Sequence, residues 1–292
     1  MKLIVLVSLL MLSCVDQEVA SQKITLPYDL KKPAEQHILP AVLHEVSGVT
    51  WLDSTSVACV QDEHGIVFIY DLRKKEIVRE LPFGYEGDYE GIALVGKSIY
   101  ILRSDGGIYE IPDYRSSNTA ATAHAVLLPA SNYEGLCYDP DMRRLLIAGK
   151  GKVDEASRED RFVYSFDLAT KKPDPQPAYR FSIVDVTQFA VDRKLQEPYR
   201  LTAKGKSVPN YIKMRTSELA FHPVTGHLYM LAATDHLLMV FDRKGRILHI
   251  EKLDPAVFNQ AEGLTFSPGG DMIITNEGGE DSPTLLRFVY HP

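Results

Sequence analysis

Cations are in deficit in this chain of 292 residues: 32 Lys and Arg stand against 39 Asp and Glu, a formal charge of −7. That balance argues against nucleic acid as the main partner, because phosphate binding draws on clustered basic residues, and no basic stripe stands out. Cysteine is scarce too, with Cys14, Cys59 and Cys137 alone. The last two sit in apolar, strand-like stretches far apart in sequence, so they are expected as buried free thiols rather than a disulfide. No Gly-x-Ser-x-Gly elbow, phosphate loop or dinucleotide fingerprint occurs. Nor does the composition, 45% hydrophobic, point to disorder, collagen or a polytopic membrane protein; it suffices for one compact core.

What is present begins at the N-terminus. Lys2 is followed by an apolar run from Leu3 to Leu12, then Ser13 and Cys14. The run is too short to span a bilayer and reads as a secretion signal. Met11-Leu12-Ser13-Cys14 resembles a bacterial lipobox, so Cys14 is the expected lipid attachment point. Residues 1–22 are then signal peptide and tether, and 23–292 the folded domain. The protein is expected to be exported and held in the cell envelope by its acyl chains, which bind membrane stably when two or more are present.

The folded part carries an internal repeat. Its marker appears in Glu45-Val46-Ser47-Gly48-Val49, Asp88-Tyr89-Glu90-Gly91-Ile92, Asn132-Tyr133-Glu134-Gly135-Leu136, Thr216-Ser217-Glu218-Leu219-Ala220 and Gln260-Ala261-Glu262-Gly263-Leu264. With Ser47, Glu90, Glu134, Glu218 and Glu262 taken as equivalent, the spacings are 43, 44, 84 and 44 residues. A period near 43 with alternating strands predicts four-stranded blades, hence an all-β propeller. The doubled interval allows either a sixth blade without a marker or an insertion at about 183–215. The insertion is favoured, since 185–196 has helical spacing and 197–215 reads as a Lys-rich loop, and five blades follow. The last unit ends after three strands, so an N-terminal segment, Ile24 to Tyr28 or Ile38 to Leu43, is expected to complete it and close the ring.

In a propeller the first strand of each blade lines the axis. The Glu residues should therefore meet in one tier, with Glu45, Asp88, Asn132, Thr216 and Gln260 as a second tier two residues back. So many carboxylates in a narrow channel need counter-charge. Calcium, a hard ion that takes six to eight oxygens, is the leading candidate, with Glu45, Glu90, Glu134, Glu218 and Glu262 as metal ligands. Arg103 and Lys150, which end second strands near the mouth, are internal alternatives. Asp62-Glu63-His64 and Asn276-Glu277 should be neighbours across the closure. His44 and His222 have no nucleophile or acid at a recognised spacing.

These motifs together resemble the SdiA-regulated family of bacterial β-propellers, distant relatives of NHL-repeat proteins. The residues that carry the resemblance are Glu45-x-Ser47-Gly48-Val49-x-Trp51, Asp62-Glu63, Asp88-x-Glu90-Gly91-Ile92-Ala93, Ser217-Glu218-Leu219-Ala220, Glu262-Gly263-Leu264 and Asn276-Glu277-Gly278. The resemblance implies a five-bladed propeller with bound calcium and no established catalysis. The expected function is a calcium-binding interaction module that offers its channel mouth to a protein or small ligand. The alternative is a calcium-dependent hydrolase, lactonase or phosphoesterase-like, with His44 or His64 as general base.

Overall fold

Short apolar runs bounded by Gly, Pro and Asp turns give twenty-two strands in the computed structural model, which describes residues 24–116, 120–129 and 132–292. Twenty of them form five antiparallel four-stranded sheets. Blade 1 comprises Val46–Asp53, Ser56–Gln61, Ile66–Asp71 and Glu76–Pro82. Blade 2 comprises Tyr89–Val95, Ser98–Arg103, Ile108–Ile111 and Thr122–His124. Tyr133–Asp139, Arg144–Gly149, Asp160–Asp167 and Lys172–Ser182 make blade 3. Blade 4 is Glu218–Phe221, Leu228–Ala232, Leu237–Phe241 and Ile247–Lys252.

Blade 5 supplies Ala261–Phe266, Met272–Asn276 and Thr284–Phe288 from the C-terminal end, and Glu35–Ile38 is its outermost strand. Closure by an N-terminal strand is as expected, but that strand shares only Ile38 with the segments named for it. Residues 41–43 form a 3-10 turn, and Tyr28 instead packs among Tyr229, Phe266 and Leu286, the core between blades 4 and 5. Each inner strand touches the inner strand of the next blade, and blade 5 returns to blade 1. The apolar side chains fall into five clusters, one between each pair of adjacent blades. Burying a large aliphatic or aromatic side chain in such a cluster contributes about 1.5–3 kcal/mol, so blade-to-blade packing dominates the stability of the ring.

The interval between blades 3 and 4 is an insertion, and the ring has five blades. The helix Ile183–Asp192 begins at Ser182, whose hydroxyl accepts from the Asp185 N–H. Its apolar face, Val186, Phe189 and Ala190, joins the core between blades 3 and 4. The stretch expected as a loop contains a small hairpin, Tyr199–Leu201 paired with Ser207–Pro209. Cys59 and Cys137 are buried and free. Cys14 lies outside the described residues.

Candidate functional site: the acidic mouth of the channel

Four of the five inner strands begin with the same irregularity. The pairing register shifts between Val46 and Gly48, Tyr89 and Gly91, Tyr133 and Gly135, and Ala261 and Gly263. Ser47, Glu90, Glu134 and Glu262 are thus the extra residues of β-bulges, a device that re-aims a side chain away from the strand's alternation. The glycine after each bulge lies where neighbouring backbones meet. A Cβ on Gly91 would stand 2.7 Å from Leu136 Cβ and 3.0 Å from Leu136 N.

Blade 4 departs from this pattern, and the equivalence expected there is one residue out of register. Phe221 pairs with Leu228, the first residue of its second strand, just as Phe266 pairs with Met272 in blade 5. Counting back, Ser217 is the counterpart of Glu262, and Glu218 stands where the other blades have glycine. The hydrogen bonds agree: Ser47 donates to Tyr89 O at 2.6 Å, and Ser217 donates to Ala261 O at 3.0 Å, each reaching the next blade at the same point. Glu218, 1% exposed, turns toward blade 3. Its Oε1 accepts from the N–H groups of Leu136 at 2.8 Å and Leu219 at 2.9 Å. The cue was in the sequence, since Phe221-His222-Pro223 aligns with Phe266-Ser267-Pro268.

The structure otherwise gathers the expected acidic residues into one electrostatic cluster. Burial, then Glu134 and Asp88, push the Glu90 carboxyl up to about 9. Burial, then Glu134, raise Glu262 to about 7. Burial, then Glu262, Glu45 and Asp62, raise Glu277 to about 8. Glu134 and Asp62 are also raised, chiefly by burial, and Glu218 is held well above the usual carboxylate range by the same cause. Asp62 and Glu277 therefore feel each other's charge across the closure between blades 1 and 5.

Lys150 is the cation that answers this cluster. Its Nζ is 2.8 Å from Glu134 Oε1, and its charge acts on Glu90, Glu262 and Glu277 as well. Arg103, the other expected counter-charge, turns away to Asp105 and to the Tyr109 hydroxyl. Two residues of the expected second tier brace the first: Asn132 donates to Glu134 at 3.1 Å and Gln260 to Glu262 at 3.3 Å. His44 Nδ1 is 2.8 Å from Glu45 Oε1 at the rim. Gln61 Oε1 accepts from the backbone of Glu63 and His64, fixing that turn.

The carboxyl oxygens at this mouth are of the class a hard divalent ion takes. Two of them, Asp62 Oδ1 and Glu218 Oε2, are buried without a hydrogen-bond partner among the described residues. As the side chains stand, no three acidic, His or Cys residues among the described residues are grouped as an ion would require. Lys150 occupies Glu134 instead. The oxygen chemistry fits calcium, while a bound ion would need these side chains to move.

The far end of the channel is different in character. The later residues of all five inner strands, among them Trp51, Leu94, Tyr138, Phe221 and Phe266, line a cavity of about 720 Å³. One end of the channel is acidic, while the other mixes these apolar side chains with polar ones such as Thr50, His222, Arg243 and Thr265.

No family model matches the chain, and no curated protein matches it. Solved structures match its architecture. Glutaminyl cyclase of Myxococcus xanthus superposes with a TM-score of 0.59 at 13% identity, over 89% of this chain and 96% of that one. The PQQ-bound aldose sugar dehydrogenase of Streptomyces coelicolor gives 0.52 at 10% identity, over 88% and 97%. At such identities the likeness concerns fold alone: the chain is a five-bladed β-propeller.

Proposed function

We propose that this propeller is a calcium-binding interaction module of the bacterial cell envelope, anchored through a lipid on Cys14, and a member of the SdiA-regulated type that its motifs resemble. The observation that carries the calcium reading is the charge imbalance at the mouth. Glu90, Glu134, Glu218, Glu262 and Glu277 all hold protons more tightly than free carboxyls, with Lys150 as the cation acting among them. Burial is the main cause of each shift, and the neighbouring carboxylates add to it; that mutual repulsion is what a divalent cation would relieve. Glu45, Glu90, Glu134 and Glu262 are the ligands proposed, with Asp62 and Glu277 beside them; Glu218 contributes at most Oε2, since Oε1 serves the backbone. Calcium would supply positive charge and accept several oxygen ligands that tie blades 1, 2, 3 and 5 together. The chain's own residues orient that set: Asn132 and Gln260 steer the carboxylates, and Ser47 and Ser217 fix the spacing of neighbouring blades. The ligand or partner is then taken at a channel end.

The test is the metal content of purified protein together with melting curves at graded calcium and in chelator. Retained calcium and a concentration-dependent rise in Tm are expected. Protein that holds no calcium and melts identically in both conditions ends the proposal. Replacing Cys14 with Ser should release the protein from the membrane fraction.

A second reading, a calcium-dependent hydrolase, draws on the His44–Glu45 pair at the rim, an arrangement suited to a general base. Turnover of a lactone or phosphoester that disappears in His44→Ala would favour it; absence of turnover would remove it.

A further inference from the structure

The insertion reverses the charge of the molecule. Residues 193–215 contain seven Lys and Arg and a single acid, Glu197, in a chain whose overall charge is −7. The absence of a basic stripe thus holds for the blades and fails here. None of the seven has an ion-pair partner among the described residues, whereas Arg103, Arg144, Arg180, Arg243, Arg246 and Arg287 on the blades are each paired with carboxylates.

Large apolar groups stand exposed among these cations. Leu201 is 71% exposed, Tyr199 64% and Tyr211 45%. The hairpin register places Tyr199 opposite Pro209 and Leu201 opposite Ser207, so both project from one face, with Lys204 and Lys206 in the turn. The base is firmly held. Ile212 and Met214 are buried, Arg161 donates to the carbonyls of Lys213 and Met214, and the Ile212 N–H reaches Thr187 Oγ1 at 3.0 Å. A fixed base carrying an exposed tip of this composition is not explained by packing within the chain.

We propose that this hairpin docks on an anionic phospholipid surface. Tyr and Leu side chains enter the headgroup region, where an amphipathic ring is favourably placed, while the surrounding Lys and Arg meet the phosphates. Nucleic acid would use the cations and leave Leu201 idle. The acidic mouth does not oppose docking. Three of its carboxylates, Glu134, Glu218 and Glu262, are at least nine-tenths buried, and the charge of the half-buried others, Glu45, Glu90, Asp62 and Glu277, is screened within about 8 Å at physiological ionic strength. The helix before the hairpin packs against the outer strands of blades 3 and 4, which sets the insertion at the rim, away from the axis.

The experiment measures binding of the whole chain to phosphatidylcholine vesicles with and without about 30 mol% phosphatidylglycerol. The apolar N-terminal run acts on both vesicle types, so the hairpin is read from the difference between them. An anionic preference that salt abolishes is expected, falling roughly fivefold for each of Lys204→Gln and Lys206→Gln and roughly twenty-fivefold for the pair. A Tyr199→Ser, Leu201→Ser variant should weaken binding with the salt dependence retained. Unchanged melting curves verify that both variants fold. The proposal is overturned by equal binding to both vesicles, by an anionic preference that survives the paired Lys substitution, or by duplex DNA competing vesicles off through the same residues. It is also overturned if the substitutions alter only self-association in sedimentation.

Discussion

Lys150 Nζ lies 2.8 Å from Glu134 Oε1, a contact that joins the residue following the second strand of blade 3 to the residue at that blade's bulge. Burial alone would push the Lys150 ammonium down, yet Glu134, Glu262 and Glu90 raise it above its ordinary value. One ammonium thus partly neutralises a ring with several carboxylates. An incoming cation has to compete with it for Glu134.

That competition gives the first prediction. Lys150→Met should lower the Tm in chelator, because the ring loses its internal counter-charge. It should also tighten calcium binding by roughly tenfold, the order expected for removing one cation from a partly buried site. Titration calorimetry and melting curves with and without calcium check both halves. A variant that binds calcium no better than the parent would show that Lys150 and the ion do not share a site.

The second prediction concerns pH. Glu90, Glu262 and Glu277 have folded-state values near 9, 7 and 8, above the ordinary 4.5. The folded protein therefore holds protons that the unfolded chain releases. Stability from these groups is fully present below the ordinary 4.5 and is lost as pH rises from there through the folded values of about 7, 8 and 9. In chelator, Tm should fall from about pH 5 to about pH 9, and calcium, by taking the place of the protons, should flatten that fall. His222 works in the opposite direction. Burial pushes it down to about 4, so its contribution is present above its ordinary 6.5 and is lost as pH falls toward 4. A Tm in chelator that rises steadily from neutral to alkaline pH would contradict the assignment.

Glu218 supports a third prediction, which separates a structural carboxyl from a metal ligand. Glu218→Gln keeps an oxygen for the Leu136 and Leu219 N–H groups, so it should stay within about 1 kcal/mol of the parent and leave the calcium response intact. Glu218→Ala orphans both donors and opens a cavity between blades 3 and 4, at a cost of about 2–5 kcal/mol by urea denaturation. If the Gln variant lost calcium stabilisation while the Ala variant folded normally, Glu218 would belong in the metal set.

Period, blade count, ring closure and the convergence of Glu90, Glu134 and Glu262 were legible in the sequence because they follow from repetition, which survives local variation. Three things were not. Glu218 was misaligned because a Glu one position from the expected place looks like the marker, and only the Phe-x-Pro turn that follows reveals the true register. The bulges escaped notice because a strict two-residue alternation assumes an unbroken strand, and one extra residue leaves no compositional trace beyond the following glycine. The closing strand Glu35–Ile38 was missed because Glu-Gln-His-Ile has little apolar character. An outermost strand needs backbone partners more than a buried face, and Glu35 is fixed instead by ion pairing to Arg287.

The bulge glycines provide the last prediction. At Gly91 an added methyl group would meet Leu136 Cβ at 2.7 Å, Leu136 N at 3.0 Å and Glu134 O at 3.1 Å. Two of those three atoms are backbone of the neighbouring inner strand, so no side-chain rotation relieves the contact, and blades 2 and 3 must separate. Gly91→Ala should therefore cost about 1–3 kcal/mol, the range for overpacking a filled interior. Gly96→Ala is the matched control: it has open space around it but a φ of +61°, so its cost is one of backbone strain, about 1–2 kcal/mol, with no effect on blade spacing. The two are told apart at the mouth. Separation of blades 2 and 3 moves Glu90 relative to Glu134, so Gly91→Ala should weaken calcium stabilisation as well as the fold, whereas Gly96→Ala should lower Tm equally with and without calcium. Equal behaviour of the two variants in calcium would mean that the spacing of the inner strands does not set the geometry of the acidic ring.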